Sequence, residues 1–237
     1  MISFAVIRKF EPNRSIGWGR KLLAAYCALS MLLGPGLLHA LPQNAQVKHG
    51  QIDINTQAGR MQIEQLSQMG IIDWQDFSIG SGERVDISQL NVDAALLNRV
   101  TGADPSKLYG QLNANGRVYV VNPNGVLIGP GARINTAEFI ASTLDLADAD
   151  FLNGGNLTFE GDSDASVVNL GEIKADNGDL ILIAQVVENA GTLEAEQGTV
   201  ALERDRKCSF SRMRISDSLS KRSSLNQPPK SVSRTRV

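Results

Sequence analysis

Residues 168–183 read VNLGEIKADNGDLILI, and residues 188–203 read ENAGTLEAEQGTVALE. Shifted by twenty residues, the two coincide. Asn169 falls on Asn189, Gly171 on Gly191, Ile173 on Leu193, Ala175 on Ala195, Gly178 on Gly198, Leu180 on Val200 and Leu182 on Leu202. A period of this length marks a solenoid. GEIKA and GTLEA alternate apolar and polar residues, and GDLILI and GTVALE read the same way after their glycine. Alternating runs bounded by Gly and Asn are short strands joined by tight turns. A single such unit cannot bury its apolar side, but units stacked on one another share a continuous core. A leucine-rich horseshoe has a similar period but needs a helix or 3₁₀ turn in each unit. The one stretch with a helical stripe is AALLNRV (94–100). The expected fold is all-β, a parallel β-helix.

Upstream the same grammar runs at looser spacing. GQIDI (50–54), RMQIEQL (60–66), GRVYVV (116–121) and GNLTF (155–159) read as strands, and INTAEFIASTLDL (134–146) is apolar and β-branched. This irregularity predicts insertions between coils and short extra strands near the N-terminal end.

The net charge of -2 hides three segments. Residues 1–40 hold five Lys/Arg and one acid, net +4; residues 41–203 hold eight and 22, net -14; residues 204–237 hold ten and two, net +8. The acidic middle is too poor in clustered cations to follow a phosphate backbone, so nucleic acid is not its partner. Cys27 and Cys208 lie in the flanking segments, so the middle folds without a disulfide or a thiolate metal site.

Residues 1–40 read as an extended secretory signal peptide. A long basic region precedes LLAAYCALSMLL (22–33), then GPG interrupts it and the segment ends at Ala40. The apolar run is far shorter than the roughly 20 residues that span a bilayer, so no stable membrane insertion is expected. Residues 204–237 have no period and are rich in Ser and cations, a composition that predicts disorder. The abrupt change after Glu203 reads as a truncated or frame-shifted copy of a longer chain; the rival reading is a native basic tail that touches membrane phospholipid or nucleic acid.

No catalytic set assembles. After export His49 is the remaining histidine, and a lone His beside Lys48 and Gly50 reads as a solvated strand edge. There is no Ser-His-Asp or Cys-His arrangement, no zinc spacing and no cofactor motif, so an enzyme is not expected. The acids of DLADAD (145–150) and EGDSDAS (160–166) read as solvated faces or turns. Other β-helices bind or cleave polysaccharides, so a carbohydrate-binding or carbohydrate-active secreted protein is the alternative reading.

VVNPNGVLIG (120–129) has clear local physics. Pro123 presets φ for the second position of a β-turn, Asn124 and Gly125 suit the positions that follow, and Asn122 caps the turn through its side chain. The order NRVTG (98–102), LYGQLNANGRVYVVNPNGVLIGPGARINTAEFIASTLDL (108–146), with IIDWQDFSIGSGERVDI (71–87) upstream, resembles the two-partner secretion domain of the filamentous haemagglutinin family, and most of all its high-molecular-weight adhesin branch. The resemblance covers about residues 41–203. It implies a right-handed parallel β-helix at the mature N-terminus of a large exoprotein of a Gram-negative bacterium, secreted or at the cell surface by way of the periplasm. It implies as partner a dedicated outer-membrane β-barrel transporter with POTRA domains. Contact with a host surface is assigned to a downstream region that the chain lacks. The motif residues carried over are Asn98, Arg99, Val100, Asn122, Pro123, Asn124 and Gly125. Pro and Gly supply backbone geometry more than side-chain contact, so these residues are expected to shape turns. Extended stretches such as 50–66 are suited to adding a strand to a partner sheet, and the negative charge to steering toward a basic surface.

Overall fold

The computed structural model describes residues 41–210. Residues 1–40, expected to be a signal peptide, and residues 211–237, most of the expected disordered tail, lie outside the described residues. The chain winds through three faces in a fixed order. One seven-stranded face, the flap face, stacks β1 (Gln46–His49), β4 (Met69–Trp74), β6 (Ala95–Val100), β9 (Arg117–Val121), β12 (Glu138–Ser142), β17 (Leu180–Ile183) and β20 (Val200–Glu203). A four-stranded face holds β7 (Ser106–Leu108), β10 (Val126–Ile128), β15 (Ser166–Asn169) and β18 (Val186–Asn189). The second seven-stranded face, the open face, holds β2 (Ile52–Gln57), β3 (Arg60–Gln65), β5 (Arg84–Gln89), β8 (Gln111–Ala114), β11 (Arg133–Thr136), β16 (Glu172–Ala175) and β19 (Thr192–Ala195). Pairing between coils is parallel; the antiparallel partners β1–β4 and β2–β3 close the N-terminal end. This is the expected right-handed parallel β-helix with extra strands at its start.

The register explains why the period is visible in only part of the sequence. Arg60, Arg84, Gln111, Arg133, Glu172 and Thr192 lie in one row of the open face, at intervals of 24, 27, 22, 39 and 20 residues. Only the last interval is the bare coil. The 39-residue interval contains an excursion. The chain leaves the solenoid after β12, forms β13 (Asp145–Leu146), helix α1 (Asp148–Asn153) and β14 (Leu157–Glu160), and re-enters at β15. We call this excursion the flap.

The flap builds a second core. Inside the solenoid, Ile63, Val85, Leu96, Leu112, Val118, Ile134, Phe139, Ile173, Leu180 and Leu182 pack together. Outside it, Ile71, Leu97, Tyr119, Val121, Ile140, Ile181 and Ile183 are covered by Leu144, Leu146, Phe151, Leu157 and Phe159. Leu180 to Ile183 are therefore all buried, and the alternation expected within LILI does not occur. A strand buried on both faces reads as a continuous apolar run. AALLNRV fails as a helix for the same reason: its residues 95–100 are β6, buried on both sides.

The last rung strand among the described residues, β20, ends at Glu203, and the described fold continues past it. β21 (Lys207–Phe210) pairs antiparallel with β14, and Cys208 is buried beside the flap. Its four residues alternate, so its local pattern suits a strand edge despite the basic composition around it. His49 is exposed on β1. Among the described residues no helix is long and apolar enough to cross a membrane.

Candidate recognition site

The two motifs meet at one corner of the solenoid. Arg99 of β6 is register-paired with Val121 of β9, so NRV and NPNG end adjacent rungs. Alternation divides the first motif between the two cores. Asn98 points inward and is fully buried; its Oδ1 accepts the Trp74 indole N–H at 3.0 Å, and its Nδ2 donates to the Tyr119 carbonyl at 3.3 Å. Val100 also packs in the inner core.

Arg99 points outward, beneath the flap. Its Nε donates to Asp145 Oδ1 at 2.9 Å and its Nη2 to the Leu146 carbonyl at 2.6 Å. Nη2 also lies 2.7 Å from Asp148 Oδ1, and Nη1 lies 3.6 Å from Asp73 Oδ1. Burial pulls the guanidinium pKa down, but the bonds and charges of Asp145 and Asp148 outweigh it and hold the pKa above its ordinary value. The acids of DLADAD, expected as a solvated face, are thus partly the anchor of the flap. Asp148 and Asp150 also occupy the first turn of α1, where negative charge suits the helix dipole.

The second motif is a β-turn locked into its neighbours. Gly125 N donates to the Asn122 carbonyl at 3.0 Å, and Asn124 N donates to Asn122 Oδ1 at 2.9 Å, the cap expected from the sequence. Asn122 is fully buried, and its Nδ2 donates to the Asp104 carbonyl and to Ser106 Oγ, both at 3.0 Å. Asn124 Nδ2 donates to the Gly102 carbonyl at 2.8 Å. The turn is therefore stacked on GADPS (102–106) of the preceding coil. On the other side, Ser163 Oγ donates to the Pro123 carbonyl at 2.6 Å. Gly125 has φ +114°, and a Cβ there would sit 3.2 Å from the Ser166 carbonyl, so glycine is required twice over. Pro123 and Asn124 are exposed at the tip.

Sequence reasoning named the seven motif residues but missed their partners: Trp74, Asp104, Ser106, Asp145, Asp148 and Ser163. One signal was present. GADPS lies one coil length, twenty residues, before NPNG and carries the same turn chemistry. Among the described residues no group of three or more His, Cys, Asp or Glu is placed to hold a metal ion.

Residues 38–216 match the family model described as the TPS secretion domain, where TPS is two-partner secretion. The chain is 36% identical over 190 residues to a heme/hemopexin-binding protein of Haemophilus influenzae strain Rd, covering 69% of this chain and 21% of that protein. A second heme/hemopexin-binding protein of Haemophilus influenzae is 44% identical over 106 residues, 44% of this chain and 11% of its own length. The chain thus spans about a fifth or less of these relatives. Among solved structures, the HMW1 secretion domain of Haemophilus influenzae superposes with a TM-score of 0.67 at 34% identity, covering 71% of this chain and 46% of that one. The solved structure matched over this region is a secretion domain. On sequence and on fold alike, the chain belongs to the TPS secretion domain family.

Proposed function

We propose that this domain directs an exoprotein to its own outer-membrane β-barrel transporter, is bound in the periplasm by that transporter's POTRA domains, and seeds β-helix growth outside the cell. The observation that carries the reading is the match to a solved secretion domain at 34% identity across 71% of the chain. The last rung supports the seeding role. Val200 and Leu202 are 41% and 45% exposed, whereas Leu180 and Leu182 one rung below are buried. The solenoid cross-section is therefore an apolar template whose strand edges are unpaired among the described residues, onto which a further coil adds without any change in the existing rungs. Binding of heme or hemopexin, named for the relatives, and any contact with a host surface belong in this reading to regions outside the domain.

A second reading has one observation in its favour. The open face carries a shallow groove of about 820 Å³ lined by polar side chains, among them Asp53, Asn55, Gln62, Glu64, Asn113 and Asn135. A saccharide would find donors and acceptors there, though no aromatic platform. Coexpression with the cognate transporter separates the readings. Secretion targeting requires the chain in the medium when the transporter is present and its retention in the periplasm when the transporter is deleted. Release in the deletion strain refutes the targeting role.

A further inference from the structure

The N-terminal end has two edge strands, and they differ in how well they are protected. β1 is four residues long, is broken by a register shift between Val47 and His49, and carries Lys48, which lies 3.7 Å from Asp73. Short length, a bulge and a lysine are the usual defences of an edge. β2 has none of them. It runs six residues in unbroken register with β3 and contains neither Lys nor Pro.

Hairpin geometry gives the direction of each backbone group. Ala58 and Gly59 form a two-residue loop, so Gln57 and Arg60 close the hairpin as a hydrogen-bonded pair and alternate pairs follow. Leu66 N donates to the Gln51 carbonyl at 2.9 Å, which has the same parity. Gln51, Asp53, Asn55 and Gln57 therefore bond inward to β3. Ile52, Ile54 and Thr56 aim their N–H and C=O groups at the side that no described strand pairs with. Side chains alternate as well. Ile52 and Ile54 are half-buried against the end of the core, while Asp53 and Asn55 are exposed on the open face with Glu64 beside them.

We propose that the outer edge of β2 is the docking edge for the transporter's periplasmic region. The strand received there alternates apolar side chains, which cover Ile52 and Ile54, with cationic ones, which meet Asp53 and Glu64. β3 is paired on both sides and offers no edge, so of the stretch 50–66 only β2 serves. The inference rests on the reading that a transporter escorts the chain, and it names where that escort holds on.

The test uses the exported chain and the purified periplasmic domains of its cognate transporter. Hydrogen exchange is measured at each amide with and without those domains. The Ile54 and Thr56 amides are expected to gain protection on binding, with the β1 amides unchanged. Thr56→Pro removes one outward donor and leaves the β2–β3 bonds intact, and it is expected to weaken binding roughly tenfold. Added salt is expected to weaken binding by the wild-type chain. Binding without new protection at Ile54 and Thr56 overturns the β2 assignment while leaving the escort reading in place. Release that is independent of the transporter overturns both. Should Thr56→Pro disturb folding, the wild-type exchange pattern decides alone.

Discussion

Arg99→Ala is expected to loosen the flap while leaving the solenoid wound. The bond to the Leu146 carbonyl is charge-assisted and contributes about 1.5–3 kcal/mol. The carboxylates of Asp145 and Asp148 are 55% and 49% exposed, so each of those pairs adds only about 0.2–1 kcal/mol after solvent screening. The loss sums to about 3 kcal/mol. No ladder of backbone bonds ties the flap to the solenoid beneath it: β13, β14 and β21 pair only with one another among the described strands. The flap is held by side-chain packing and by this clamp, so the loss falls on local opening. Native-state hydrogen exchange is the assay. Protection at β14 is expected to drop roughly a hundredfold, with β9 and β12 unchanged. At 1 M salt the Debye length falls to about 3 Å, so the carboxylate share of the effect shrinks and the carbonyl share persists. Arg99→Lys is expected to recover less than half, because an ammonium cannot fork between Asp145 and Leu146. An equal loss of protection in the flap and the solenoid, or a loss below threefold in the flap, refutes the clamp.

Asn122→Ala strips two donors from a buried corner and is expected to cost about 2–3 kcal/mol in urea unfolding. Asn98→Val leaves the Trp74 indole without its acceptor; about 1–3 kcal/mol is expected, with a shifted Trp74 indole resonance as the specific sign. Gly125→Ala is expected to cost about 1–3 kcal/mol from backbone strain, and Pro123→Ala no more than about 1 kcal/mol, so the two turn positions separate in a denaturation series. Burial, and then the charges of Glu203 and Asp205, raise the Cys208 thiol pKa, so at any given pH the folded chain carries less thiolate than the unfolded one. Alkylation near pH 8 is expected to be slow in the native protein, faster in urea, and accelerated by Arg99→Ala.

The sequence carried the winding because Gly171 and Gly191, Ile173 and Leu193, and Ala175 and Ala195 repeat at the length of a bare coil. It carried the turn at NPNG because Pro, Asn and Gly each fix a backbone angle locally. What stayed hidden was everything set by the flap. LILI suggests alternation and AALLNRV a helix, but a second buried face removes the alternation of a strand, and nothing within those stretches says what covers them. The cover lies from about twenty to more than a hundred residues away, in Phe151, Phe159 and Cys208. Arg99 was found by resemblance, but its role depends on Asp145 and Asp148, which no local pattern connects to it.

A residue shared by a family is easily taken for a contact residue, and the corner argues against that for most of its members. Asn98 and Asn122 are fully buried. The Asn122 amide donates twice and its Oδ1 accepts from Asn124, so little hydrogen-bonding capacity remains for a partner. Arg99 is spent on the flap, and Gly125 answers a steric demand. What the corner presents outward is the Pro123 ring and the tip of Asn124. We infer that the motifs act through geometry, fixing how one coil lies on the next and so holding the registers of the faces and of their edges. It follows that substitutions at Asn98 or Asn122 should impair release in proportion to lost stability, and second-site stabilisation elsewhere in the solenoid should restore it. A contact residue would not be rescued in that way. Thr56→Pro, by contrast, should impair release with little change in stability and resist such rescue, so the two kinds of defect separate in one strain set.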